Sequence, residues 1–199
     1  MSLEMVAVVI TLVAVYLTTR QIVWCWPLGM VSVTLYAVVF FEARLYADMG
    51  LQGLYFALAA YGWWAWLYGG EDHGELDVSL TSLKTKLVLL VLATGSGLVL
   101  GRALSQLTDA ALPYMDSTLT TFSIAAQWMQ ARKLLENWLV WIGVDVFYVG
   151  MFLYKELYLT AALYAVFLLL AGMGLVQWRR SWRHTRATED LPAVPEAAA

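Results

Sequence analysis

Residues 136–167 read ENWLVWIGVDVFYVGMFLYKELYLTAALYAVF, and residues 24–55, 112 positions earlier, read WCWPLGMVSVTLYAVVFFEARLYADMGLQGLY. Without a gap, Trp26 meets Trp138, Tyr36 meets Tyr148 and Phe40 meets Phe152, while Leu45-Tyr46 meets Leu157-Tyr158 and Leu51 meets Leu163. Carried downstream, the shift pairs Gly62 with Gly174 and Trp66 with Trp178. Carried upstream, it pairs Glu4 with Asp116, Ala14 with Ala126 and Arg20 with Arg132. One aromatic coincidence means little in a chain with 10 Trp and 11 Tyr. A common register through all these positions marks an internal duplication.

Composition says what is duplicated. Apolar residues make up 61% of the 199 and charged residues 14%, against roughly 45–50% and 25% in soluble domains. With 12 basic and 15 acidic side chains, a globular surface cannot be covered. That excludes a soluble enzyme, a disordered chain and a nucleic-acid-binding domain. Seven apolar stretches separate at charges and turn signals: 5–19, 22–41, 51–68, 87–107, 117–130, 137–154 and 158–178. Most approach the ~20 residues that cross a ~30 Å hydrocarbon core. The fifth carries Ser117, Thr118, Thr120, Thr121, Ser123 and Gln127. It is therefore either a re-entrant piece or a helix packed inside a bundle.

Spans one to three recur as spans five to seven. Three crossings reverse the chain, so span four restores its direction and makes the repeats parallel, a 3+1+3 all-α membrane protein. Such repeats, related by an axis along the membrane normal, are one scheme of secondary transporters, with the site near the midplane between them. The expected division is residues 1–68 and 113–178 for the two repeats, 69–112 for an acidic loop and linker helix, and 179–199 for a basic, then disordered, tail. Disorder is expected from Ala187, where Pro192, Pro195 and three closing alanines follow.

Seven crossings with the tail inside put Arg20, Lys84, Lys86, Arg132, Lys133, Arg179, Arg180, Arg183 and Arg186 on the inner side. Only Arg44, Arg102 and Lys155 lie outside. This bias places the N-terminus outside and the C-terminus in the cytoplasm. Met1-Ser2-Leu3-Glu4 lacks a basic n-region, so the first span reads as retained. A lone Cys25, with His73 and His184 far apart, leaves no disulfide, metal or haem pattern.

On span six, Trp138, Trp141, Asp145, Tyr148 and Phe152 follow at steps of three and four, sharing one helix face. A carboxylate at this depth costs about 2.5–3.5 kcal/mol on translocon scales, so Asp145 should point into the bundle. Trp faces beside a carboxylate suit a flat organic cation. Asp145 is alternatively a structural carboxylate bonded to span five, or a proton carrier. Span two repeats the aromatic face through Trp26, Tyr36 and Phe40, but has Val33 in place of Asp145. Gln127 and Asn137 are further candidates, as are Gln52, Tyr55 and Tyr61 in span three. Trp66 and Trp178 read as interfacial anchors and Asp116-Ser117 as an N-cap pair. Pro27 and Gly29 read as a hinge or a static kink, and Glu71, Asp72, Glu75 and Asp77 as a solvated linker.

The runs LYADMGLQGLYFALAAYGWWAW (45–66), MDSTLTTFSIAAQWM (115–129) and the quoted 136–167 resemble the PnuC family of vitamin transporters, over nearly the whole chain but the tail. The resemblance implies a fold related to SWEET sugar transporters. It implies uptake by facilitated diffusion, with trapping by a cytosolic kinase, of nicotinamide riboside, thiamine or a related vitamin. The family's Trp-x-x-x-Asn element falls on Trp141 and Asp145, a carboxylate replacing the amide. Cys25 and Ala59 likewise stand where nicotinamide riboside carriers have Asn. The expected protein is a uniporter of the bacterial cytoplasmic membrane for nicotinamide riboside, with thiamine or another cationic vitamin precursor as the alternative. No cofactor and no nucleic acid are expected, and a homo-oligomer is left open. A membrane enzyme lacks any GxSxG, metal-ligand or phosphate-loop pattern. The remaining class is a non-transporting membrane scaffold.

Overall fold

The computed structural model describes residues 3–108 and 112–189; the side chains of residues 46 and 47 lie outside that description. The described chain is helical: α1 (Leu3–Thr19), α2 (Cys25–Glu42), α3 (Tyr46–Tyr68), α4 (Leu83–Leu107), α5 (Pro113–Ala131), α6 (Asn137–Tyr154) and α7 (Tyr158–Glu189), with a 3-10 turn at Glu71–His73. Each apolar stretch matches one α-helix, with residues 22–24 of the second preceding α2. Among them α2, α4, α6 and α7 are long and apolar enough to cross a membrane, and α1 is a shorter apolar helix. α7 runs past Trp178 to Glu189, so the basic segment and Ala187 to Glu189 are helical rather than a disordered tail. The expected disorder beyond them falls on residues 190–199, outside the described residues.

The helix starts correct two expectations. Pro27 lies in the first turn of α2, where its missing N–H has no intrahelical acceptor to lose, so neither it nor Gly29 interrupts the helix. α5 begins earlier than expected, with Pro113 at its start and Leu112 as N-cap. That puts Asp116 and Ser117 inside the helix rather than at its cap. α4 has a side-chain cap, the Ser82 hydroxyl accepting from Thr85 N at 3.1 Å, whereas α2, α3, α5 and α6 have none.

Two turns close in the same way in each half. Gln21 and Lys133 are left-handed, with φ 57° and 46°, as are Arg44 and Glu156 with φ 58° and 59°. Ile22 N–H then reaches Leu17 O at 3.0 Å and Leu134 N–H reaches Met129 O at 2.9 Å. Leu45 and Leu157 do the same to Phe40 O and Phe152 O, at 2.8 and 2.9 Å. These are the six-to-one bonds of Schellman caps, here without glycine.

The helices pack α1 on α2, α2 on α3, α3 on α5, α5 on α6, α6 on α7 and α7 on α1, so six of them close a ring. α4 stands outside it on α5. Ala93, Gly97 and Gly101 form its buried stripe. A Cβ on Gly97 would come within 2.9 Å of Thr118 Cα, and one on Gly101 within 2.9 Å of Tyr114 Cα, so only small residues permit this approach. Thr121 donates to Ala93 O across the contact at 2.8 Å. α5, polar as it is, buries Ser117, Leu119, Ser123, Ala126, Met129 and Ala131 among its neighbours, as a helix packed inside a bundle.

Candidate functional site

One end of the ring is plugged by indoles. Trp26 meets Trp66 edge-on at 5.3 Å and 89°, and Trp138 meets Trp178 edge-on at 5.4 Å and 89°. Trp66 and Trp178 join the pairs at 5.7 Å. Trp26 lies over Gly62 and Trp138 over Gly174, and a Cβ at either glycine would run into the ring. Trp66 donates its indole N–H to Gln130 O at 3.1 Å and Trp178 to Thr18 O at 3.0 Å, tying α3 to α5 and α7 to α1. At 3% and 0% exposed, Trp66 and Trp178 are core residues, not the interfacial anchors expected of them. An edge-on indole set packs densely and leaves little room for a ligand.

A latch lies across this end. Ser79 N–H donates to Lys133 O at 3.1 Å and Leu135 N–H to Ser79 O at 2.9 Å, a single β-bridge onto the α5–α6 corner. Glu136 accepts from Thr81 N and Thr81 Oγ1 at 2.8 and 2.7 Å and pairs with Lys86 at 2.7 Å. Burial would raise the Glu136 carboxyl, but Lys86 and Thr81 hold it below its ordinary value. Lys133, 6% exposed, sits 4.7 Å over the Trp66 ring. Burial pulls its ammonium below the usual lysine range, opposed by Glu75 and Asp77. Glu75 and Asp77 themselves are exposed, as in a solvated linker, and act on Lys133 through space.

Farther along the ring interior is a different layer. Asp145 is 4% exposed, and no hydrogen bond or ion pair reaches its carboxylate among the described residues. Burial turns it from lipid, as its cost there requires. Trp26 Nε1, Ser117 Oγ, Asn137 Oδ1 and Trp138 Nε1 are unpartnered and sealed; the Asp145 oxygens are not sealed, so a water-sized space touches them. Tyr148 stacks on Phe152 at 5.8 Å, and Tyr164 of α7 packs against both at 4.7 and 5.2 Å. On α2, Tyr36 stacks on Phe40 at 6.0 Å. Tyr55 approaches Ser123 and Tyr148 approaches Thr120. Two outer grooves of about 360 and 330 Å³, one on α2–α3 and one on α4–α5–α6, are apolar and include neither Asp145 nor any tyrosine.

The expected site residues divide between these levels. Asp145, Tyr148, Tyr55 and Tyr36 belong to the second layer, each within electrostatic reach of Tyr164. Trp138, 1% exposed, belongs to the indole plug, two helical turns from Asp145. Trp141, one turn from Asp145, donates to Gln130 Oε1 at 3.2 Å. Asn137 turns its amide onto Leu134 O at 2.6 Å inside the α5–α6 corner, and Tyr61 accepts from Arg132 at 3.2 Å. Gln52 and Gln127 are half-buried on α3 and α5. Sequence reasoning missed Tyr164 and Ser123. Tyr164 was within reach, since it is Gln52 shifted by 112 positions. Cys25 and Ala59, where amides were expected, are buried in the hydrophobic cluster around the plug.

A family profile described as nicotinamide mononucleotide transporter matches residues 1–180. The chain belongs to that family. The nicotinamide riboside transporter PnuC of Escherichia coli (strain K12) is 27% identical over 206 residues, spanning 91% of this chain and 86% of the relative. The riboflavin/roseoflavin transporter RibM of Streptomyces davaonensis is also 27% identical, over 198 residues, spanning 96% and 91%. A crystal structure of the vitamin B3 transporter PnuC superposes with a TM-score of 0.71 at 22% identity, over 92% of this chain and 82% of that one. That likeness is one of fold, and it places this all-helical chain with the PnuC architecture.

Proposed function

We propose that the protein is a facilitated-diffusion carrier that imports nicotinamide riboside across the bacterial inner membrane. Its chain crosses seven times in a 3+1+3, SWEET-like arrangement of two parallel three-helix units joined by α4. The N-terminus is outside and the C-terminus in the cytoplasm, so the indole plug closes the cytoplasmic end. The recurring Schellman caps, Trp–Gly pairs and indole bonds support the repeat. A cytosolic kinase traps the product by phosphorylation, which makes net uptake independent of an ion gradient.

The carrying observation is the unpartnered Asp145 among tyrosines. An isolated buried carboxylate is strongly disfavoured, and a cationic ring beside aromatic faces relieves it. Asp145 balances the ring charge, Tyr148 borders it, and Trp141 forms the floor toward the plug. Gln127, Gln52, Tyr55 and Tyr36 line the remaining walls. Trp138 and Asn137 hold the closed end, and Tyr61 its rim. Thiamine, also cationic, is the second reading, and Asp145 favours either over an uncharged flavin such as the RibM substrate named above. Purified protein in liposomes loaded with nicotinamide riboside should show counterflow of the labelled compound without any ion gradient. Thiamine should compete and riboflavin should not. Strict dependence on a proton gradient would assign Asp145 to proton coupling, and absence of flux would leave the scaffold reading.

A further inference from the structure

We propose that Tyr164 is a specificity-determining residue, its hydroxyl bonding an oxygen on the uncharged part of a cationic ligand whose charged ring lies at Asp145. This rests on the cation-carrier reading above and assigns a second point of recognition within it. The Tyr164 ring is held on three sides, 4.7 Å from Tyr148, 5.2 Å from Phe152 and 5.7 Å edge-on from Phe167. Those contacts fix where its hydroxyl points. Tyr164 also lies within electrostatic reach of Asp145, Tyr148, Tyr55 and Tyr36, groups carried by α6, α3 and α2. It therefore faces the ring interior rather than lipid.

No hydrogen bond reaches the Tyr164 hydroxyl among the described residues, and it is not among the sealed polar atoms. A half-buried phenol with spare hydrogen-bonding capacity and a buried carboxylate with none of its own thus border the same interior. Together they complement a molecule with a positive charge at one point and a hydroxyl or carbonyl oxygen at another. The repeat points the same way. Tyr148 and Phe152 recur as Tyr36 and Phe40, whereas Tyr164 replaces Gln52 and Asp145 replaces Val33. The two departures fall on adjoining helices.

The test compares two cations in the full-length reconstituted protein by tryptophan quenching: nicotinamide riboside, and 1-methylnicotinamide, which keeps the charged ring and lacks the sugar. Tyr164→Phe should weaken the riboside about tenfold, the value of one lost hydrogen bond. It should leave 1-methylnicotinamide binding and the melting temperature unchanged. Equal losses for both ligands, or a fall in melting temperature with them, would make Tyr164 a packing residue and overturn the proposal. So would unchanged binding of both. Tyr164→Gln, which copies the first half, should keep more of the riboside affinity than Phe does. If the wild type binds neither cation, the carrier reading fails and takes this inference with it; if it binds both and Tyr164→Phe changes nothing, only this inference fails.

Discussion

At the plugged end, Trp66 bonds Gln130 O and Trp178 bonds Thr18 O, and each of Trp26 and Trp138 rests on its own glycine. Every one of these features occurs twice, 112 positions apart. Around Asp145 the two halves diverge. Ser32 on α2 bonds Thr11 and Ala7 O, at 2.6 and 3.1 Å, a small closed network between α1 and α2. At the matching position α6 has Val144, and the next residue is the unpartnered Asp145 where α2 has Val33. Packing tolerates duplication because the same shapes fit twice. Recognition of a single asymmetric molecule does not, and the layer where the copies disagree is where a buried carboxylate is left without a protein partner.

The largest expected effect tests that divergence. Asp145→Ala should lower cation affinity by about 30-fold or more, at least ~2 kcal/mol for a charge left without its partner. Counterflow and quenching with nicotinamide riboside measure it, and the mirror change Val33→Ala should leave affinity unaltered. Next come the plug glycines. Gly62→Ala and Gly174→Ala should each cost about 1–3 kcal/mol through overpacking, read as matching falls in melting temperature in detergent. A large drop in one and none in the other would show that the two Trp–Gly pairs are not equivalent.

The latch is a second place where the halves differ, because Trp24 stands where the second half has Glu136. With its carboxyl held below the ordinary value, Glu136 contributes stability that is present above that value and lost as pH falls through the lowered one. Wild type should therefore melt above Glu136→Gln at neutral pH, and the gap should shrink as pH falls below the ordinary glutamate range. A gap that widens on acidification would reverse the assignment. The smallest effects belong to the left-handed corners. Arg44→Gly and Glu156→Gly should each stabilise by about 0.5–1 kcal/mol, by equal amounts if the corners are copies.

Much of this was legible beforehand. Seven apolar segments, their boundaries within about five residues except at the end of α7, and the duplication could all be read because bilayer thickness and side-chain hydropathy act on local sequence. Asp145 could be singled out because a carboxylate at that depth has few options. The tryptophans misled. Trp66 and Trp178 sit near helix ends, where an aromatic belt is the usual reading, and only the ring closure of α3 on α5 and α7 on α1 reveals that they face inward. Trp138 shares a helix face with Asp145, yet the face passes through two levels of the bundle with different neighbours. Asp116-Ser117 failed for a local reason: Pro113 starts α5 a turn earlier.

Sequence alone determined that this chain is a membrane-embedded, internally repeated bundle with one deep carboxylate, since each of those properties is a matter of composition, period and register. Tertiary structure decided which aromatics plug the ring and which border Asp145, that α4 stands outside on a stripe of small residues, and that Tyr164 joins the polar layer. Those are relations between residues far apart in the chain, set by how helices close on one another, and no local pattern carries them.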